Sequence, residues 1–268
     1  MLEFIFGPPK SGKTTEIINR IKTCVKKGKR TYLLVPEQQV HVSETMLAAI
    51  MPESWTCFEV ISFSRLCEMI FTRYGGITKK SVDDNVKHLL MWYSANSISD
   101  FLCEYKQDKN DSAFSDMMLS AITELSTSGL DPESLEKLIE ESDDEQFKKK
   151  FSDIALIYSK FKSDVAEKLG KNIMLKDDLQ KLALRKLSDN KFFEGACVFV
   201  DSFTDFTGIE EKMLLEIIKS ADSTTITINL PARGYSQPHA HSVRDTLKKL
   251  SARRSHRHRY LTRNFTND

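Results

Sequence analysis

The 268 residues carry 39 Lys and Arg against 38 Asp and Glu, with 40% hydrophobic residues and five cysteines. That is enough apolar material for a sizeable core, and too balanced a charge for a chain that is basic or acidic throughout. The balance conceals an asymmetry: from Ala232 onward nine Lys and Arg face two Asp and Glu, a net +7, so residues 1–231 carry −6. The cysteines (Cys24, Cys57, Cys67, Cys103, Cys197) are odd in number and form no CxxC, which argues against a disulfide framework or a zinc site and for a reducing, cytoplasmic setting. No apolar run approaches membrane-spanning length, and no secretory leader is expected, because Leu2–Phe6 ends directly in a glycine loop.

In chain order, Leu2–Phe6 reads as a buried strand, and Ile17, Ile18, Ile21 and Val25 place a helix over Thr14–Lys26. Thr31–Pro36 is a second short strand, Pro36–Ile50 reads as helical, and Thr56–Phe63 is a third strand. From Ser64 to about Lys191 the strand pattern gives way to helices. Phe114, Met117, Met118, Ala121, Ile122 and Leu125 share one face, and Gly129 sits where a left-handed cap belongs. Asp131-Pro132 is an N-cap followed by proline at the first helical position, with Leu135, Leu138 and Ile139 following. A longer helix runs from Phe147 to near Gly170. Strands return at Ala196–Asp201 and Ser223–Pro231, joined by a helix over Ile209–Lys219.

This pattern predicts an α/β fold: a parallel sheet flanked by helices and interrupted by an all-helical insertion. The expected domains are 1–76 with 191–231 for the sheet and 77–190 for the insertion. Residues 232–268 form a basic, His-rich tail with little apolar periodicity, expected to be disordered or aberrant rather than part of the sheet.

Gly7-Pro8-Pro9-Lys10-Ser11-Gly12-Lys13-Thr14 satisfies G-x4-G-K-[ST] in its required context, after a strand and at the start of a helix. In such a loop the glycines let backbone N–H groups curl around phosphates, Lys13 neutralises the β and γ oxygens, and Thr14 offers its hydroxyl to Mg²⁺. The candidate ligands are therefore ATP and Mg²⁺; the plain alternative is a glycine turn that binds nothing. Hydrolysis also needs a carboxylate at the end of a second strand, usually followed by a Glu that orients water. Asp201 ends the strand CVFVD and is the candidate Mg²⁺ ligand, although an ordinary turn residue would look the same. The next residue is Ser202, which cannot act as that base, and Asp205 stands at a different spacing. No catalytic residue is assigned, and binding is better supported than turnover.

The segments FIFGPPKSGKTTEI, YLLVPEQQV, FEVISFSRLCEMIF, KKKFSDIALIYSKF and VFVDSFTDFTGIEEKMLL, in this order over about residues 1–230, resemble the N-terminal part of the AddB family, second subunits of bacterial AddAB helicase–nucleases. The resemblance implies a P-loop NTPase domain of the superfamily 1 helicase type, with its helical insertion between SFSRL and the Asp201 strand. It implies a heterodimer with an AddA-type helicase–nuclease subunit, processing double-strand DNA ends for recombinational repair. Gly7–Thr14 match the family's nucleotide loop and Asp201 its Mg²⁺ carboxylate. Ser62, Phe63, Ser64 and Arg65 lie where related helicases approach single-stranded DNA; Arg65 is the candidate contact, while Phe63 fits a core equally well. The domain is expected to scan DNA for a regulatory sequence rather than act as a full motor. The family's second motor domain, nuclease carboxylates and iron–sulfur cysteines have no counterpart here, so a cluster is expected only in the C-terminal part of the family protein. This segment alone is expected to be a weak or inactive ATPase.

Two other readings remain. A small-molecule or nucleotide kinase could use the same loop, but residues 77–190 contain only Arg185, too few arginines for a pocket that takes a phosphorylated acceptor. The basic tail could lie along DNA phosphates, with salt-dependent affinity.

Overall fold

The computed structural model describes residues 1–76, 80–106, 112–170, 173–229 and 256–260. The chain divides into two compact units, Met1–Tyr74 with Ala183–Asp268, and Gly75–Leu182.

The first unit is built on β1 (Leu2–Gly7), β2 (Thr31–Leu34), β3 (Phe58–Ile61), β6 (Cys197–Val200), β7 (Ser223–Asn229) and β8 (His256–Tyr260). These pair in the order β3-β2-β6-β7-β1-β8, every neighbouring pair parallel. Parallel strands covered on both faces read as continuous apolar runs; Leu2, Phe4, Ile5 and Phe6 of β1 and all four residues of β6 are buried. Helix α1 (Lys13–Lys26) lays Ile17, Ile18, Ile21 and Val25 on a core with Ile5, Leu33, Val60 and Phe199. Its neighbour α2 (Val40–Ile50) follows a short 3-10 turn, Glu37–Gln39, that absorbs the first part of the expected helix. The third strand is shorter than its apolar run, because α3 (Phe63–Tyr74) already claims Phe63. Helix α9 (Gly208–Ser220) opens with a capping box, Thr207 and Glu210 each accepting from the other's backbone N–H.

The second unit gathers α4 (Asp84–Ser97), α5 (Ser112–Thr127), α6 (Pro132–Glu141) and α7 (Glu145–Lys168) around Met91, Ile122, Ile157, Tyr158 and Phe161. Helix α8 (Lys176–Asp189) follows. Gly129 takes φ +87° after α5, and Asp131 accepts from the Ser134 N–H at 2.9 Å to start α6, as their residue types imply. Met117 and Leu138, inward by spacing, are exposed. The insertion is also not purely helical: β4 (Lys80–Ser81) and β5 (Ile173–Met174) pair in parallel, a ladder of two residues each that is too short to have a period.

The tail differs from its sequence reading. His256–Tyr260 is the sixth strand of the sheet, parallel to β1 from Leu2↔His256 to Phe6↔Tyr260. Strand pairing is made by the backbone, and at a sheet edge it needs no apolar run, so HRHRY carries no strand pattern. The rest of the tail lies outside the described residues. All five cysteines are free thiols, and no helix among the described residues is long and apolar enough to cross a membrane.

Candidate functional site

Parallel pairing brings the C-terminal ends of β1, β7 and β6 to one edge of the sheet, where α/β proteins build their sites. β1 ends at Gly7, and the chain turns through Pro8–Gly12 into α1. The turn is closed by the Ser11 N–H donating to the Pro8 carbonyl at 3.3 Å. It needs two left-handed residues, Lys10 at φ +62° and Gly12 at φ +89°. Among the described residues no side chain caps the start of α1, which leaves its first-turn N–H groups for an anion.

Lys13 is buried at the mouth of this turn, only 7% exposed. Its ammonium donates to the carbonyls of Gly7 at 2.9 Å and Pro8 at 2.7 Å, and to Ser11 Oγ at 3.4 Å. Burial holds its pKa below the ordinary 10.5, and the negative charge of Asp201 partly opposes that shift.

The next residue reaches across the sheet. Thr14 Oγ1 donates to Asp201 Oδ2 at 2.8 Å, joining residues 187 apart in sequence. Asp201 is 4% exposed. Its N–H donates to the Leu34 carbonyl at 3.0 Å, and its second oxygen, Oδ1, accepts from Thr227 Oγ1 at 2.5 Å. Thr227 belongs to β7, the strand interposed between the loop strand and the Asp201 strand. No motif marks it. Its signal in the sequence is a polar residue in a central strand whose neighbours, Ile226 and Ile228, are apolar.

Thr14 and Asp201 offer a hydroxyl and a carboxylate, hard oxygens of the type Mg²⁺ takes when phosphates and water complete its shell. Among the described residues no three or more His, Cys, Asp or Glu gather as a metal cage. The donor set therefore fits a cation that arrives with phosphates. Ser202 is exposed at φ +66°, a strained conformation for a serine. Asp205 accepts from the Phe206 N–H at 2.8 Å in its own loop.

The SFSRL segment opens α3. Phe63 is buried edge-on to Phe203 and Phe206, with ring centroids 5.6 and 6.3 Å away. Ser62 is buried and accepts from the Arg65 N–H at 3.2 Å, and Ser64 is half-buried. Arg65 is exposed and donates from Nη1 to Glu44 Oε1 at 2.6 Å. The pair borders a cleft of about 430 Å³ whose wall includes Phe58, Val60 and Met69.

The family described as "ADDB, N-terminal" matches residues 4–258, nearly the whole chain and part of the tail. The chain is 28% identical over 240 residues to the B-subunit of an ATP-dependent helicase/deoxyribonuclease of Clostridioides difficile, covering 87% of this chain. Proteins of the same name from Clostridium tetani (33% over 233 residues) and Clostridium perfringens (28% over 232 residues) each cover 85% of it. The chain spans about one fifth of the length of each relative, 20% in every case. A match running from β1 through the helical unit to β8 shows that the chain belongs to the AddB N-terminal family.

Proposed function

We propose that this chain is the nucleotide-holding, DNA-handling N-terminal portion of an AddB-type helicase/deoxyribonuclease subunit, built as a P-loop NTPase domain of the superfamily 1 helicase type. Its relatives are named ATP-dependent helicase/deoxyribonucleases, and the observation that carries the nucleotide reading is the 2.8 Å bond between Thr14 and Asp201. Gly7, Pro8, Pro9, Lys10, Ser11 and Gly12 would wrap the phosphates of ATP with backbone N–H groups. Lys13 would exchange its carbonyl partners for phosphate oxygens. Thr14 and Asp201 would hold Mg²⁺, which when bound supplies charge neutralisation at the phosphates.

The geometry supports grip over turnover. A serine hydroxyl at position 202 has no basicity with which to activate water near neutral pH. The segment is accordingly a weak or inactive ATPase by itself. In the whole protein it would act in the cytoplasm beside an AddA-type partner on DNA ends, with Arg65 facing DNA.

Calorimetric titration with ATP and Mg²⁺ tests the reading. A charge-assisted contact is worth about 1.5–3 kcal/mol, so Lys13→Ala is expected to cost about tenfold or more in affinity. Equal affinity in both proteins, or no binding by either, removes the nucleotide role.

A further inference from the structure

Asp201 accepts two side-chain hydroxyls, one on each carboxylate oxygen. Thr14 belongs to the phosphate loop. Thr227 does not, and nothing in the loop motif or the carboxylate strand calls for it.

Its position follows from register. β6 and β7 pair from Cys197↔Ser223 to Val200↔Ile226, so the residue after Val200 meets the residue after Ile226. Thr227 is also paired with Ile5 of β1, two residues before the loop. It is 7% exposed in a strand flanked on both sides, where a hydroxyl is costly unless it is bonded. Thr224, on the same strand, shows the contrast: its Oγ1 is buried with no partner among the described residues. The Thr227 hydroxyl has one proton. The Val200 carbonyl lies at 3.4 Å and the Asp201 carboxylate at 2.5 Å, so the proton goes to the carboxylate.

We infer that Thr227 is a positioning residue for the cation that accompanies the nucleotide, resting on the nucleotide reading above. A carboxylate free to rotate about its Cβ–Cγ bond presents either oxygen, in many orientations. With Oδ1 tied to β7, the carboxylate plane is fixed, and Oδ2 faces Thr14 and the loop. The chain thereby holds the Asp201 carboxylate at the end of β6 ready for a divalent ion. Outer partners that orient a ligating carboxylate are typically worth about 10–100-fold in metal affinity.

Mn²⁺, followed by its electron paramagnetic resonance signal, serves as the probe in the 268-residue chain with and without ADP. Wild-type protein is expected to take up Mn²⁺ with ADP present. Thr227→Val keeps the shape and β-branching but lacks the proton. It is expected to weaken Mn²⁺ uptake about tenfold while metal-free ADP affinity stays within about twofold, and Thr227→Ser is expected to restore uptake. Unchanged Mn²⁺ affinity in Thr227→Val overturns the inference, as does an equal loss of metal-free ADP binding, or a serine variant no better than valine. If Thr227→Val does not fold, the serine variant decides: wild-type uptake supports a hydroxyl role, and valine-like loss in a folded serine variant refutes it. Absence of ADP binding by the wild-type protein overturns the nucleotide reading itself and this inference with it, an outcome the wild-type titration separates from the others.

Discussion

Thr14 and Asp201 lie 187 residues apart in sequence and share a hydrogen bond of 2.8 Å. Replacing Thr14 by Val removes the hydroxyl and keeps the β-branched shape. Nucleotide affinity measured with Mg²⁺ is expected to fall about tenfold, toward the value measured in EDTA, while affinity in EDTA is nearly unchanged. Asp201→Asn is expected to behave alike, because an amide is a poor ligand for Mg²⁺. An equal loss with and without metal would show that the two residues hold the loop rather than the cation.

If the loop holds nucleotide as proposed, the buried Lys13 gives that binding a pH dependence. Its folded-state pKa is depressed below 10.5, mainly by desolvation, so in the free protein it loses its proton earlier on the alkaline side than an ordinary lysine. Bound phosphate favours the ammonium and raises that pKa. Binding is therefore accompanied by proton uptake in alkaline solution, and affinity falls as pH rises through the depressed value. Below it the lysine is charged in both states and the dependence flattens. Calorimetry in buffers of different ionisation enthalpy measures the proton directly; no uptake in the alkaline range would remove Lys13 from the phosphate contact.

Gly12 stands at φ +89°, and among the described residues no heavy atom beyond its own and its two chain neighbours' lies within 4 Å of where a Cβ would sit. Gly12→Ala meets no steric obstacle, so its cost is conformational, about 1–2 kcal/mol. A modest fall in melting temperature is expected together with weaker nucleotide binding, because the backbone N–H groups lose their aim. A variant that is destabilised but binds normally would separate the turn from the anion site.

Arg65 and Glu44 form an exposed pair, whose stability contribution is under about 1 kcal/mol. That lets the proposed DNA contact be tested without unfolding the protein. Arg65→Ala is expected to weaken single-stranded DNA binding and lower the salt slope by about one phosphate contact. Glu44→Gln frees the guanidinium and is expected to strengthen binding. Identical salt slopes in all three proteins would place Arg65 off the DNA path.

In the helical unit, Asp153 is buried and accepts from the backbone N–H groups of Cys103, Glu104 and Tyr105 at 2.8–3.0 Å. Asp153→Ala leaves these donors without their carboxylate, at a cost of about 2–4 kcal/mol. Hydrogen exchange is expected to accelerate at Cys103–Tyr105 before it does so in β1 or β6. Uniform acceleration would mean that the carboxylate supports more than this turn.

Local chemistry by itself determined the loop, the helices and most of the strands. Gly12 and Lys13 between an apolar strand and an amphipathic helix specify a tight strand-to-helix turn, and Asp131-Pro132 specifies a helix start, because these signals act within a few residues. The carboxylate of Asp201 was legible as a strand end, but its bond to Thr14 was a matter of sheet order. Thr227 was illegible, since only a parallel register that sets β7 beside β6 turns a buried hydroxyl into a partner for Asp201. The edge strand HRHRY escaped for a related reason: its pairing with β1 uses backbone groups that every sequence possesses. Periodicity records which face of an element is buried; which elements become neighbours is decided by packing of the whole chain, and the candidate site lies at those neighbour contacts.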